Sequence, residues 1–164
     1  MGSSVVSETP STADELPLSG RLVGFDLGEV RVGVAVTDPS QIIASPAETI
    51  DVPRGAAGPL VDALVEACRR HEAAGVVVGH PRRLDGREGD AARRAREVAG
   101  TLATRTGLTV ALWDERFTTV EAERVLLDAD LSRAQRRETV DGVAASVLLQ
   151  AVVEAQRRRR DTGS

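Results

Sequence analysis

Apolar positions along the chain fall into short runs and helical stripes, and their order predicts an α/β architecture. Leu22-Val23-Gly24-Phe25 and Val32-Gly33-Val34-Ala35-Val36 flank Leu27-Gly28-Glu29-Val30, a segment short enough for a hairpin turn in which Gly28 takes positive φ. The two flanking strands are too apolar for a half-solvated sheet and are expected at its centre, with Asp26 ending the first. Ile42-Ile43 and Ala47 to Ile50 read as a third, edge strand, because Pro46 interrupts the run and Pro53 closes it. Leu60, Val61, Leu64, Val65 and Cys68 recur at helical spacing behind a first-turn proline, Pro59, and predict a helix to about Glu72.

Gly75-Val76-Val77-Val78-Gly79 is a continuous apolar run of the kind found in buried parallel strands. A loop, His80 to Gly89, follows with Pro81 and three arginines. Ala91, Ala92, Ala95, Val98, Ala99, Leu102 and Ala103 form the inner face of a second helix, with Gly100 its weak point. Leu108 to Trp113 is the last predicted strand and ends in Asp114-Glu115-Arg116. Thr118-Thr119-Val120-Glu121 fits a capping box for a third helix to about Asp128, and Ser132-Arg133-Ala134-Gln135 a second box for the last helix. In that last helix Val140, Val143, Ala144, Val147, Leu148, Ala151 and Val152 keep a core face.

Right-handed crossovers make the first, fourth and fifth strands parallel and leave the hairpin strands on the other side. The expected sheet is five-stranded and mixed, in the order 3-2-1-4-5, with helices on both faces. Asp26, the Gly79-His80 loop and Asp114-Glu115 then share the carboxyl edge of the parallel strands, where open α/β sheets bind ligands. The domain is expected over residues 20–156. Residues 1–19, rich in Ser, Thr, Pro and acid, and the Arg-rich residues 157–164 are expected to be disordered tails.

Composition narrows the chemistry. At 164 residues, 41% hydrophobic and 28% charged, the chain has the profile of a soluble globular protein. It lacks an apolar run approaching the ~20 residues of a membrane span and lacks a signal-like start, so the expected compartment is the cytoplasm. A single cysteine, Cys68, excludes an intramolecular disulfide and a multi-cysteine zinc site, and two histidines distant in sequence disfavour a histidine-based one. Any metal would be held by oxygens. The net charge of −4 argues against a uniformly basic nucleic-acid-binding surface, yet every basic residue is an arginine. They bunch as Arg82/Arg83/Arg87, Arg93/Arg94/Arg96, Arg133/Arg136/Arg137 and Arg157 to Arg160, and local arginine clusters suit bidentate phosphate contacts.

Three acidic positions converge in this topology: Asp26, the Asp114/Glu115 pair, and Asp141 near the start of the last helix's core face. Successive strand side chains point to opposite faces, so only one of Asp114 and Glu115 joins Asp26. Clustered carboxylates suit Mg²⁺ or Mn²⁺, and two such ions about 3.5–4 Å apart activate a water and stabilise the leaving oxygen in phosphodiester hydrolysis.

Gly24-Phe25-Asp26-Leu27-Gly28 through Arg31-Val32-Gly33-Val34-Ala35 to Asp38-Pro39, then Val78-Gly79-His80-Pro81, Asp114-Glu115-Arg116-Phe117-Thr118-Thr119 and Val140-Asp141-Gly142-Val143-Ala144-Ala145 resemble, in order, the motifs of the YqgF family. The resemblance covers roughly residues 20 to 155. It implies a ribonuclease H-like fold, metal-dependent nuclease activity in processing the 5′ end of pre-16S rRNA or, alternatively, Holliday-junction resolution, and catalytic, metal-holding acids at Asp26, Glu115 and Asp141. Asp114 stays open as a substitute for Glu115. Arg31 and Arg116 are candidate substrate contacts, each beside a proposed acid, with an ion pair separating neighbouring carboxylates as the competing reading. Arg82, Arg83 and Arg87 are expected to bind the substrate backbone. His80 departs from the leucine usual in this motif and offers an imidazole near the cleft as a phosphate contact or acid/base, with an incidental loop histidine that has no defined partner as the competing reading, and Glu29 departs from the small or polar turn residue. The hairpin start also resembles that of actin-like ATPases and sugar kinases, but those close two such domains around ATP and this chain supplies one. A non-catalytic nucleic-acid-binding module is the remaining alternative.

Overall fold

The strands pair as one sheet in the order β3-β2-β1-β4-β5 in the computed structural model, which describes residues 12–55, 57–83, 85–117 and 140–163. β1 (Leu22–Leu27) and β2 (Arg31–Thr37) form the antiparallel hairpin, and β3 (Ala44–Asp51) pairs antiparallel with β2 at one edge. β4 (Gly75–His80) lies parallel to β1, and β5 (Val110–Asp114) parallel to β4. The helices are α1 (Gly58–Arg70), α2 (Asp90–Thr106) and α3 (Val140–Thr162). The sheet order, the parallel and antiparallel pairings and the presence of these helices match the sequence pattern. The capping-box segments at Thr118 and Ser132 lie outside the described residues.

Alternation along the central strands makes two cores. Val23, Phe25, Val76, Val78 and Val110 face α1 and α2, whereas Leu22, Val77 and Ala111 face Ala145, Leu148, Leu149 and Val152 of α3. Val76, Val77 and Val78 are fully buried, and each such valine contributes about 1.5–3 kcal/mol from burial. Cys68 belongs to the α1/α2 core, and burial pushes its thiol up to about 11, in keeping with packing. No helix among the described residues is long and apolar enough to cross a membrane.

Four local expectations are corrected. Gly28 does not take positive φ. It is required for close approach instead, because its N–H donates to the Arg31 carbonyl at 2.9 Å and a Cβ would sit 2.5 Å from that oxygen. β3 runs continuously through Pro46, with a register shift opposite Val34 and Ala35 that accommodates a residue lacking an N–H. The N-terminal boundary moves outward: Leu16 is buried under α3, and Ala13–Glu15 form one 3₁₀ turn. The Arg-rich end is helical to Thr162, where Arg159 Nη1 donates to the Leu16 carbonyl at 2.9 Å, Arg160 donates to that of Leu18, and Gln156 Nε2 donates to that of Pro17 at 2.9 Å. The two segments order each other through side-chain bonds to main-chain carbonyls, which hydropathy does not register.

Candidate active site at the carboxyl edge of the sheet

The pleat decides which side chains meet. In β1, Val23, Phe25 and Leu27 turn to the α1/α2 core, so Leu22, Gly24 and Asp26 face α3. In β4, Val78 faces α2 and Gly79 faces α3. Phe25 and Val78 are register partners, which sets Asp26 beside Gly79 one residue further on. Gly79 is in turn opposite Trp113, and His80 opposite Asp114. At Asp114 the chain leaves β5 for a 3₁₀ turn, Glu115–Phe117, and the Glu115 side chain swings over Gly79. A Cβ at Gly79 would lie 2.6 Å from Glu115 Oε1 and 2.7 Å from Leu148 Cδ1, so only glycine leaves room for the acid.

Glu115 and Asp26 hydrogen-bond through their carboxyl groups. Burial, then the Asp26 charge and this hydrogen bond, and lastly Asp114, push Glu115 up to about 7. Two ionised carboxylates have no proton to donate, so the pair is hydrogen-bonded only while one of them is protonated. Asp114 behaves oppositely. Arg116 grips it as a fork, Nε to Oδ1 at 3.0 Å and Nη2 to Oδ2 at 2.6 Å, while the Arg116 backbone N–H donates to Oδ1 at 3.0 Å. These bonds hold Asp114 below the ordinary carboxylate range and raise Arg116. Glu115 is therefore the member of the pair that meets Asp26, and Arg116 is held by Asp114.

The remaining sequence candidates distribute around this pair. Arg31 opens β2 at the same edge, with its side chain exposed. Arg82 donates to the Gly86 carbonyl at 2.6 Å and lies 3.9 Å from Asp114. Arg83 and Arg87 are exposed on the same loop, where the Arg83 N–H donates to the Arg87 carbonyl at 2.9 Å. His80 is corrected: it ends β4 instead of opening the loop, it is buried, and its Nε2 donates to Glu88 Oε1 at 2.9 Å on the α2 side. Asp141 is the second residue of α3. That helix runs against β1, since Leu149 lies over Gly24 while Arg159 reaches Leu16 ahead of the strand; α3 therefore begins beyond the Asp26 end. Asp141, Ala145 and Leu148 share one stripe of the helix by their spacing, and Leu148 lies over Gly79. The Asp141 side chain lies outside the described residues.

Two supporting features escaped the sequence pattern. Gly79 carries a readable signal, since a glycine ending a buried strand marks a close approach. Arg94 of α2 gives none, yet its Nη1 donates to the Gly28 carbonyl at 2.8 Å and braces the hairpin turn behind Asp26.

The donor set fits Mg²⁺ or Mn²⁺: it is all oxygen, and its two carboxyl groups are close enough to hydrogen-bond each other. Among the described residues no three His, Cys, Asp or Glu side chains gather into a metal-binding group, so the described part of the site is the Asp26–Glu115 pair.

Known proteins resemble this chain over most of its length. The model of the RuvX family, described as Holliday junction resolvase, matches residues 20–155. A Pelotomaculum thermopropionicum protein named "Putative pre-16S rRNA nuclease" is 44% identical over 144 residues, covering 87% of this chain and 93% of its own. A Myxococcus xanthus protein of the same name is 45% identical over 137 residues, covering 84% and 89%. Among solved structures, the yeast mitochondrial Holliday junction resolvase Ydc2 superposes with a TM-score of 0.56 at 11% identity, over 91% of this chain and 84% of that one. RuvC of T. thermophilus, in complex with a Holliday junction substrate, gives 0.55 at 17% identity, over 87% and 96%. These two likenesses show that the chain shares the fold of those proteins. The family match and the identities to the relatives over most of their lengths settle the assignment: the chain belongs to the RuvX, or YqgF, family.

Proposed function

We propose that this chain is a divalent-metal-dependent nuclease that hydrolyses phosphodiester bonds in the 5′ leader of pre-16S rRNA, in the cytoplasm. The observation that carries this reading is the Asp26–Glu115 pair, two carboxyl groups brought into contact at the carboxyl edge of a ribonuclease H-like sheet. Asp26, Glu115 and Asp141 would hold the cations. Two such ions supply, when bound, a lowered pKa for an attacking water and positive charge for the leaving oxygen.

The chain's own groups do the rest. Asp26 and Glu115 would release any proton held between them to solvent when a cation binds. Leu148 packs against Gly79 on the same side of the sheet as the pair. Arg82, Arg83 and Arg87, with Arg31, bind backbone phosphates on either flank. Arg116, oriented by its fork to Asp114, offers a further contact at the rim. Neutralising Arg82, Arg83 and Arg87 together should weaken binding and flatten its salt dependence.

The four-way DNA junction is a second reading, favoured by the description of the matching family model. The test is cleavage of a pre-16S 5′ leader RNA alongside a four-way junction, with Mg²⁺, with Mn²⁺ and in excess chelator. Metal-dependent cleavage of the leader is expected; equal cleavage in chelator refutes the mechanism, and preference for the junction selects the second substrate.

A further inference from the structure

His80, Glu88 and Arg96 make a chain of contacts that the cleavage chemistry does not use. His80 sits at the last position of β4 with its side chain 10% exposed. Its Nε2 donates to Glu88 Oε1 at 2.9 Å, and the other carboxylate oxygen of Glu88 takes Arg96 Nη2 of α2 at 3.0 Å. Both Glu88 oxygens are occupied, by groups on two rigid elements. The imidazole is turned toward α2, on the face of the sheet opposite Asp26 and Glu115, so a direct phosphate contact by His80 is geometrically disfavoured.

The placement gives the contacts a consequence. Residues 81–83 and 85–89, which carry Arg82, Arg83 and Arg87, leave the sheet at His80 and enter α2 just past Glu88. The His80–Glu88 bond therefore closes this loop at its neck. Inside it, the Arg83 N–H donates to the Arg87 carbonyl at 2.9 Å and the Gly86 N–H to the Arg83 carbonyl at 2.8 Å. Three arginines on one loop repel one another. Arg87 lies 3.7 Å from Asp85 and Arg82 lies 3.9 Å from Asp114, while Glu88 is taken up at the neck by His80 and Arg96.

We infer that His80, Glu88 and Arg96 form a latch that pre-orders the arginine loop for its phosphate contacts. They are positioning residues for nucleic-acid binding, acting through Arg82, Arg83 and Arg87. A loop already ordered loses less conformational entropy when the substrate docks. This inference rests on the nucleic-acid substrate proposed above.

The experiment measures binding of a fluorescent pre-16S 5′ leader RNA to the full chain in chelator, across a salt series, together with amide exchange at Arg83 and Gly86. His80→Leu and Glu88→Gln should each weaken binding about five- to tenfold, make the salt slope shallower and speed exchange at both amides. Combining the two should add little to either alone, because they break the same contact. His80→Gln, which keeps a side-chain N–H toward Glu88, should restore binding and slow exchange. In turnover assays the loss should appear in KM, with kcat little changed. Unchanged affinity and salt slope in both variants, faster exchange without weaker binding, or a His80→Gln as weak as His80→Leu would each overturn the latch alone. A wild-type chain that does not bind the leader at low salt would instead overturn the proposed function, and the latch with it.

Discussion

Asp114 and Glu115 are neighbours in the chain, yet they lie on opposite faces of the sheet and their acidities move in opposite directions. Asp114 is gripped by Arg116, with Arg82 nearby, and stays ionised below the ordinary carboxylate range. Glu115 is buried against Asp26 and rises to about 7. The same contrast extends over each face. Toward α2, Glu88 pairs with Arg96 and hydrogen-bonds His80, and Asp114 pairs with Arg116. Toward α3, carboxyl groups are brought together. Opposite charges stabilise the metal-free fold, whereas gathered like charges weaken it and are poised to take a cation. One side of the edge is thus built for architecture and the other for chemistry, and the boundary between them is a single peptide bond.

The largest expected effect tests the chemical side. Asp26→Asn should reduce Mg²⁺-dependent cleavage about a thousand-fold, several kcal/mol of lost charge stabilisation in the transition state. In chelator it should melt at the same temperature as wild type or slightly higher, because it removes a repelling charge. Mg²⁺ should raise the melting temperature of wild type more than that of the variant, since a ligand stabilises only the state that binds it. A destabilised but fully active Asp26→Asn would make Asp26 a structural acid and erase the contrast.

A smaller effect follows from protonation. Below pH about 4.5, the ordinary value for glutamate, Glu115 is protonated whether the chain is folded or not. Between there and about 7 the unfolded chain releases the proton and the folded chain keeps it, so rising pH favours unfolding; above 7 the penalty is constant. In chelator, wild type should lose on the order of 2 kcal/mol relative to Glu115→Gln across that window, allowing for solvent screening of a partly exposed group. Urea melts of both proteins at several pH values measure it, and parallel profiles would show that the pair shares no proton.

Much of this edge was legible from residue order. Short apolar runs and right-handed crossovers gave the strand order, and strand order alone brings Asp26, Gly79 and Asp114-Glu115 to one end. The choice between Asp114 and Glu115 was not legible, because it depends on a 3₁₀ turn that reverses Glu115 over Gly79. His80 read as an unpartnered loop histidine because Glu88, eight residues on, becomes its neighbour only when the loop closes. The Arg157 to Arg160 run read as a solvated tail for a similar reason. Its partners are main-chain carbonyls about 140 positions earlier, and charge patterning carries no information about such contacts.

The smallest effect puts the same substitution on the architectural side. Asp114→Asn removes the charge from the fork with Arg116 and should cost about 1 kcal/mol at neutral pH, the scale of a partly exposed charge-assisted contact. Since partners lower the Asp114 pKa in the folded chain, its contribution is present above the ordinary value near 3.8 and fades as pH falls through the folded value. The stability difference between wild type and Asp114→Asn should therefore shrink in acid, where the Glu115 penalty has already vanished, so the two acids mark separate limbs of the pH profile. Cleavage should fall less than tenfold, chiefly through KM, because Arg116 loses its orientation at the rim while the Asp26–Glu115 pair stays intact. If Asp114→Asn instead abolished cleavage as Asp26→Asn does, with its stability unchanged, the charge on the α2 face would serve the chemistry directly, and the division between the two faces would fail at the residue where it is drawn most sharply.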